Sequence, residues 1–104
     1  MIHWKRSLFL EVSKKVYSLL GLAAKAGRLK SGEYMTEQSV KDGKGVLVIV
    51  AGDASDNTKK NFNDMCTFYK VPILILGDKV SLGHAIGKEM RASLVILDEG
   101  FASS

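Results

Sequence analysis

Two apolar runs limit the folds open to this chain: "VLVIVA" from Val46 to Ala51 and "VPILIL" from Val71 to Leu76. The first has no polar residue at odd or even positions, so a strand built from it must be covered on both faces. "ILIL" reads as a second buried strand of the same kind. "SLVILDEG" (Ser93 to Gly100) supplies a last strand and "RLKS" (Arg28 to Ser31) a short one. Neither apolar run approaches the ~20 residues that a membrane-spanning helix needs.

The segments between the strands carry helical spacing. Val12, Val16, Leu19, Leu20 and Ala23 predict an amphipathic helix over roughly Ser13 to Ala26, ending near Gly27. A second helix is expected from Gly32 to Asp42, stopped by "DGKG". Ser55 or Asp56 fits the cap of a third, whose Phe62, Met65, Cys66 and Tyr69 fall on one stripe and which Pro72 helps to end. Asp78 suits the cap of a short helix carrying Val80, Leu82, Ala85 and Ile86, closed by Gly87. Strands alternating with helices predict a three-layer α/β/α sandwich around a small, mostly parallel sheet.

The 104 residues are enough for one domain with its own core, residues 1–104, in which residues 1–12 form an N-terminal extension. "MIHWKRSLFLEV" lacks the apolar stretch and cleavage site of a signal peptide. One cysteine, Cys66, precludes an internal disulfide and fits a reducing cytoplasm. The net charge of +4 is uneven. Nine Lys and Arg residues face four acidic ones through Lys44, whereas six face seven beyond it. A one-sided basic excess suits a polyanion, whose neutralised phosphates release counterions. A solvated lysine-rich face is the plain alternative.

Catalytic and metal-binding patterns are thin. His84 and Glu89 make at most a surface pair, and His3 lies in the N-terminal extension. Cys66 belongs to the apolar stripe of its helix, and two histidines with one cysteine give no metal-ligand spacing. "GHAIGK" has three residues between its glycines where a phosphate loop has four, and Glu89 where Ser or Thr would hold magnesium. Asp53, Ser55 and Asp56 read as turn and cap residues. No enzymatic role and no cofactor is expected.

Three pieces, "LLGLAAKAGRLKSGE", "VLVIVAGDASDNTKKNF" and "LGHAIGKEMRASLVILDEGFA", occur in an order and spacing that resembles a known family. It is the ribosomal-protein family of kink-turn RNA binders, the archaeal large-subunit "seven-Ae" and "thirty-e" group with its small bacterial YlxQ-type paralogues. The resemblance runs from about Val16 to Ala102. It implies an α/β/α sandwich around a four-stranded mixed sheet, and RNA binding through the start of the second helix and the loop before the last strand. Carried over residue by residue, the helix-start glycine is Gly32, followed by Glu33, Tyr34 and Met35, and the family's lysine position is Gln38. The loop falls at Met90, Arg91 and Ala92. Typical members carry Asn or Lys, then Glu or Gln, where this chain has Tyr34 and Met35.

The residues themselves fit that role. Lys30 and Ser31 precede the turn, Gly32 allows close backbone approach, and a helix start offers N–H groups and a positive dipole end to phosphate. Tyr34 and Arg91 supply surfaces that stack unpaired bases, and Lys41 adds a cation on the same helix. Gln38 exchanges a cation for a neutral amide and loses charge assistance. The expected partner is structured RNA of kink-turn or related shape, ribosomal or another non-coding RNA, in the cytoplasm with no membrane contact. The rival expectation is a protein-interaction module on the same fold, because exposed Tyr and Met also suit a protein interface. Tyr34 and Met35 half-buried against the neighbouring loop would fit neither.

Overall fold

The run "VLVIVA" lies in the interior of a four-stranded sheet. A computed structural model describes the backbone of residues 2–102 and the side chains of residues 14–101. In chain order the elements are α1 (Ile2–Lys25), β1 (Leu29–Ser31), α2 (Glu33–Lys41), β2 (Leu47–Val50), α3 (Asp56–Tyr69), β3 (Ile73–Ile75), α4 (Lys79–Ala85), β4 (Ser93–Ile96) and α5 (Glu99–Ala102). The strand order is β1-β4-β2-β3, so β2 and β4 are the inner strands. All four residues of β4 are buried, as are Val48, Ile49 and Val50 of β2.

The sheet is mixed, and the expectation of a mostly parallel one fails. β2 and β3 pair in parallel, but β4 runs antiparallel to both β1 and β2. The connection from Leu76 to Ala92, with α4 within it, folds back instead of crossing the sheet. The backbone N–H of Arg91 donates to the Lys79 carbonyl at the start of α4, closing the excursion on itself. The chain therefore re-enters the sheet at the end where it left. Alternation of elements along a sequence carries no information about that return.

Helices cover both faces. Leu47, Ile49, Leu74 and Ile96 turn toward Val16, Leu19 and Leu20 of α1 and Phe101 of α5. On the other face α2 packs on β4, and α3 packs on β2 and β3, with Val40, Phe62 and Cys66 buried in the core. Burial pushes the Cys66 thiol up from its ordinary pKa, as expected for a packing residue.

Several expectations need correction. The first helix begins at Ile2, eleven residues before the expected Ser13, and so takes in the proposed extension; the side chains of Trp4, Leu8, Phe9 and Val12 lie outside the described residues. "ILIL" is not a buried strand: it forms an edge, with Leu74 and Ile75 about half exposed. Tyr69 and Val80 are exposed rather than packed. The third helix stops at Lys70, whose left-handed φ of 59° caps it two residues before Pro72. Between the two cap candidates, Ser55 is the one used, its Oγ accepting from the Thr58 N–H, while Asp56 opens the helix. "DEG" leaves the last strand because the Asp98 carboxylate accepts from the Gly100 N–H and turns the chain into α5.

Candidate nucleic-acid interface

The turn between β1 and α2 depends on a conformation that only glycine adopts readily. Gly32, the N-cap of α2, has φ 92° and ψ 156°. Having no side chain, it gives α2 no capping hydrogen bond. The N–H groups of Glu33, Tyr34 and Met35 thus open the helix without a side-chain acceptor from the cap. The Gly32 N–H itself is engaged, donating to the Ser93 carbonyl at 3.0 Å. That bond fixes the turn to the first residue of β4 and places it beside the loop that precedes this strand.

The loop is held from below by α4. Gly83, buried in that helix, leaves room that any larger residue would remove: a methyl there would collide with the Glu89 carbonyl. The Lys88 N–H donates to the Gly83 carbonyl at 2.8 Å. "GHAIGK" is therefore a helix end that carries a loop, with no phosphate cradle in it. At the far side of the loop the Ala51 N–H donates to the Ala92 carbonyl, tying it to the end of β2. Arg91 crosses back to the turn, its Nε donating to the Ser31 hydroxyl at 3.1 Å and its Nη1 to the Met90 carbonyl at 2.9 Å.

The expected site residues thus fall into two groups. Lys30, Ser31, Gly32, Glu33 and Tyr34 come together with Met90, Arg91 and Ala92 at one end of the sheet, although about 60 residues separate the two segments. Tyr34 is 70% exposed and Met90 59%, so neither is absorbed into the core. Met35 is 40% exposed, and Gln38 is half-buried on α2. Lys30 pairs with Val95 and Ser31 with Leu94, so their side chains leave opposite faces of β1. Lys41 stands apart. It lies at the other end of α2, about 12 Å along the axis from the first turn, and pairs with Glu37 at 2.8 Å. That hydrogen bond and the charge of Glu37 raise the Lys41 pKa.

A feature that the sequence did not disclose adjoins this edge. Gly21, Ala24, Leu29, Ala85 and Ile86 floor an open cleft of about 370 Å³, flanked by Lys25 and Lys88, with Ser31 in its wall. Its walls come from α1, β1 and the end of α4, so no local pattern announces it. Elsewhere, Asp53 accepts from the Lys79 N–H at 2.9 Å and serves as a turn residue. His84 is exposed beside Tyr17, Val80 and Ser81, in a cleft that Asp53 does not line. Among the described residues no group of His, Cys, Asp and Glu could hold a metal ion, and no helix is long and apolar enough to cross a membrane.

Residues 14–104 match the pattern of the ribosomal protein L7Ae/L30e/S12e/Gadd45 family. The chain belongs to that family. Among L7Ae/L30e/S12e/Gadd45-type relatives, the RNA-binding protein YlxQ of Bacillus subtilis (strain 168) is 39% identical over 87 residues, covering 84% of this chain and 87% of its own. The large ribosomal subunit protein eL8 of Thermoplasma volcanium is 30% identical over 91 residues, 86% of this chain and 75% of its own. Of solved structures, the Giardia lamblia 15.5kD RNA binding protein superposes with a TM-score of 0.78 at 26% identity, covering 89% of this chain and 80% of that one. The four-stranded mixed sheet implied by the resemblance is thus the observed one.

Proposed function

We propose that this L7Ae/L30e/S12e/Gadd45-family protein binds RNA through the edge formed by the Gly32 turn, the first turn of α2 and the Met90–Ala92 loop. The observation that carries the reading is the hydrogen bond from Gly32 to Ser93, which sets an uncapped helix start beside a loop presenting an arginine. The relatives named for RNA binding support it. The ligand is structured RNA of kink-turn or related bent-loop shape, ribosomal or another cytoplasmic non-coding RNA. Lys30 and Arg91 supply charge, the α2 N–H groups meet phosphate or base acceptors, and exposed Tyr34 stacks on an unpaired base. Ser31, Glu33 and Met90 line the edge, while Ala92 shapes its loop.

The test is a titration of the protein into a kink-turn RNA and into one whose sheared G·A pairs are broken, at two salt concentrations. Tight binding to the intact motif alone is the expected result. Equal, weak binding to both that vanishes with salt would leave a basic surface without shape recognition. A second reading, an apolar protein contact, is favoured by the exposure of Tyr34, Met35 and Met90. It predicts an association with a protein partner that salt leaves intact.

A further inference from the structure

We propose that Ser31 is a positioning residue that aims the Arg91 guanidinium at RNA, an inference that rests on the RNA-binding reading above. A guanidinium has five N–H donors in a rigid fork. In this structure Nε–H donates to Ser31 Oγ at 3.1 Å and one Nη1–H to the Met90 carbonyl at 2.9 Å. The three that remain are all on the outer nitrogens, at the open end of the fork. The backbone beneath is fixed as well, because the Arg91 N–H donates to the Lys79 carbonyl at 3.0 Å. Three segments of the chain thus converge on one residue: β1 and the loop itself hold its side chain, and the start of α4 holds its backbone.

The acceptors are what give this clamp its meaning. Both are neutral, a hydroxyl and a carbonyl oxygen. Arginines held for structural reasons commonly meet a carboxylate, which orients the fork and cancels its charge. Among the described residues the ion pairs are Arg28 with Asp98 and Lys41 with Glu37, and Arg91 enters neither. Ser31 therefore orients the cation without neutralising it. A free arginine would lose most of its rotamer freedom on meeting a phosphate or a guanine edge, whereas this one has lost it already. The register of β1 on β4 sets the arrangement, since Ser31 stands opposite Leu94 and Lys30 faces the other way.

The experiment has two parts and uses the full chain. NMR of the free protein follows the Arg91 Nε–H signal in the wild type, Ser31→Ala and Ser31→Thr, with thermal unfolding to establish that each variant is folded. The same proteins, with Arg91→Ala and the double variant, are then titrated into a kink-turn RNA at two salt concentrations. Ser31→Ala should lose the slowly exchanging Nε–H signal and weaken binding about 3- to 10-fold, the range of one hydrogen bond. Its salt dependence should stay that of the wild type, because the count of cations is unchanged. Ser31→Thr keeps the hydroxyl and should restore both signal and affinity. Once Arg91 is alanine, removing Ser31 should have no further effect. Additive losses in the double variant, or a lost Nε–H signal with unchanged affinity, would overturn the positioning role and leave the RNA reading standing. Failure of the wild type to bind any structured RNA would overturn both.

Discussion

The two edges of the sheet are equally short, three residues each, and chemically opposite. At the β1 edge stand Lys30, Ser31 and the uncapped start of α2, with Arg91 reaching across from the loop. At the β3 edge Leu74 is 46% exposed and Ile75 51%. Beside it, at the end of α3, the Phe68 and Tyr69 rings meet edge to face 4.9 Å apart, with Phe68 76% exposed. Both strands leave one side of their backbone unpaired. What separates them is what each can offer a ligand: cations and free N–H groups on one side, apolar surface on the other. Polyanion binding through the first edge and through the second are therefore distinguishable by mutation.

The largest effect should come from Arg91→Ala, about 1–3 kcal/mol in RNA affinity, with a salt slope shallower by ~1. Leu74→Ser combined with Phe68→Ser, at the other edge, should leave RNA affinity where it was. Equal losses from both, read in the same titration, would break the comparison.

Gly32→Ala comes next. The backbone conformation at this residue is one that alanine enters only with strain, so unfolding should become easier by about 1–3 kcal/mol. Chemical denaturation measures that, and RNA affinity should fall further than stability explains, because the helix start would move.

Thr36→Val should act in the opposite direction. Thr36 in α2 is fully buried, and its hydroxyl has no hydrogen-bond partner within the protein among the described residues. Replacing that hydroxyl by a methyl group of similar size should stabilise the protein by about 1 kcal/mol, visible as a higher unfolding midpoint. A loss of stability would mean that the hydroxyl is hydrated in solution.

The smallest effect concerns Lys41 and Glu37. The folded-state pKa of Lys41 is raised, so the pair's contribution is fully present below the ordinary lysine value of 10.5 and is lost as pH rises through the higher folded value. Both side chains are partly exposed to solvent, which keeps the effect slight. Glu37→Gln should abolish that alkaline dependence in pH-stability profiles. If Lys41 touches RNA, the same variant should also change RNA affinity; an unchanged affinity would confine the interface to the other end of α2.

Much of the fold was legible because its signals are local. The apolar runs, the breaker "DGKG", the caps at Ser55 and Asp78 and the closing Gly87 each act within a few residues, and the elements fall where they indicate. The pieces of the proposed site were legible as positions, Gly32 at the helix start and Met90, Arg91 and Ala92 in the loop, whereas their meeting at one end of the sheet was not. Lys41 lies at the other end of α2, because a helix of nine residues separates its end from its beginning. The cleft flanked by Lys25 and Lys88 gave no signal at all, since its walls come from three elements.

The sequence by itself determined the alternation of four strands with the helices between them, and that a glycine had to stand before Glu33. It also concentrated the cations in the first part of the chain. Only the tertiary structure decided that β4 runs antiparallel between β1 and β2, because strand direction follows from where α4 returns the chain. That insertion brings Ser93 to Gly32 and Arg91 to Ser31. Hydrogen bonds between segments so distant in sequence form only after the sheet has fixed their register, and the proposed interface is a product of that register.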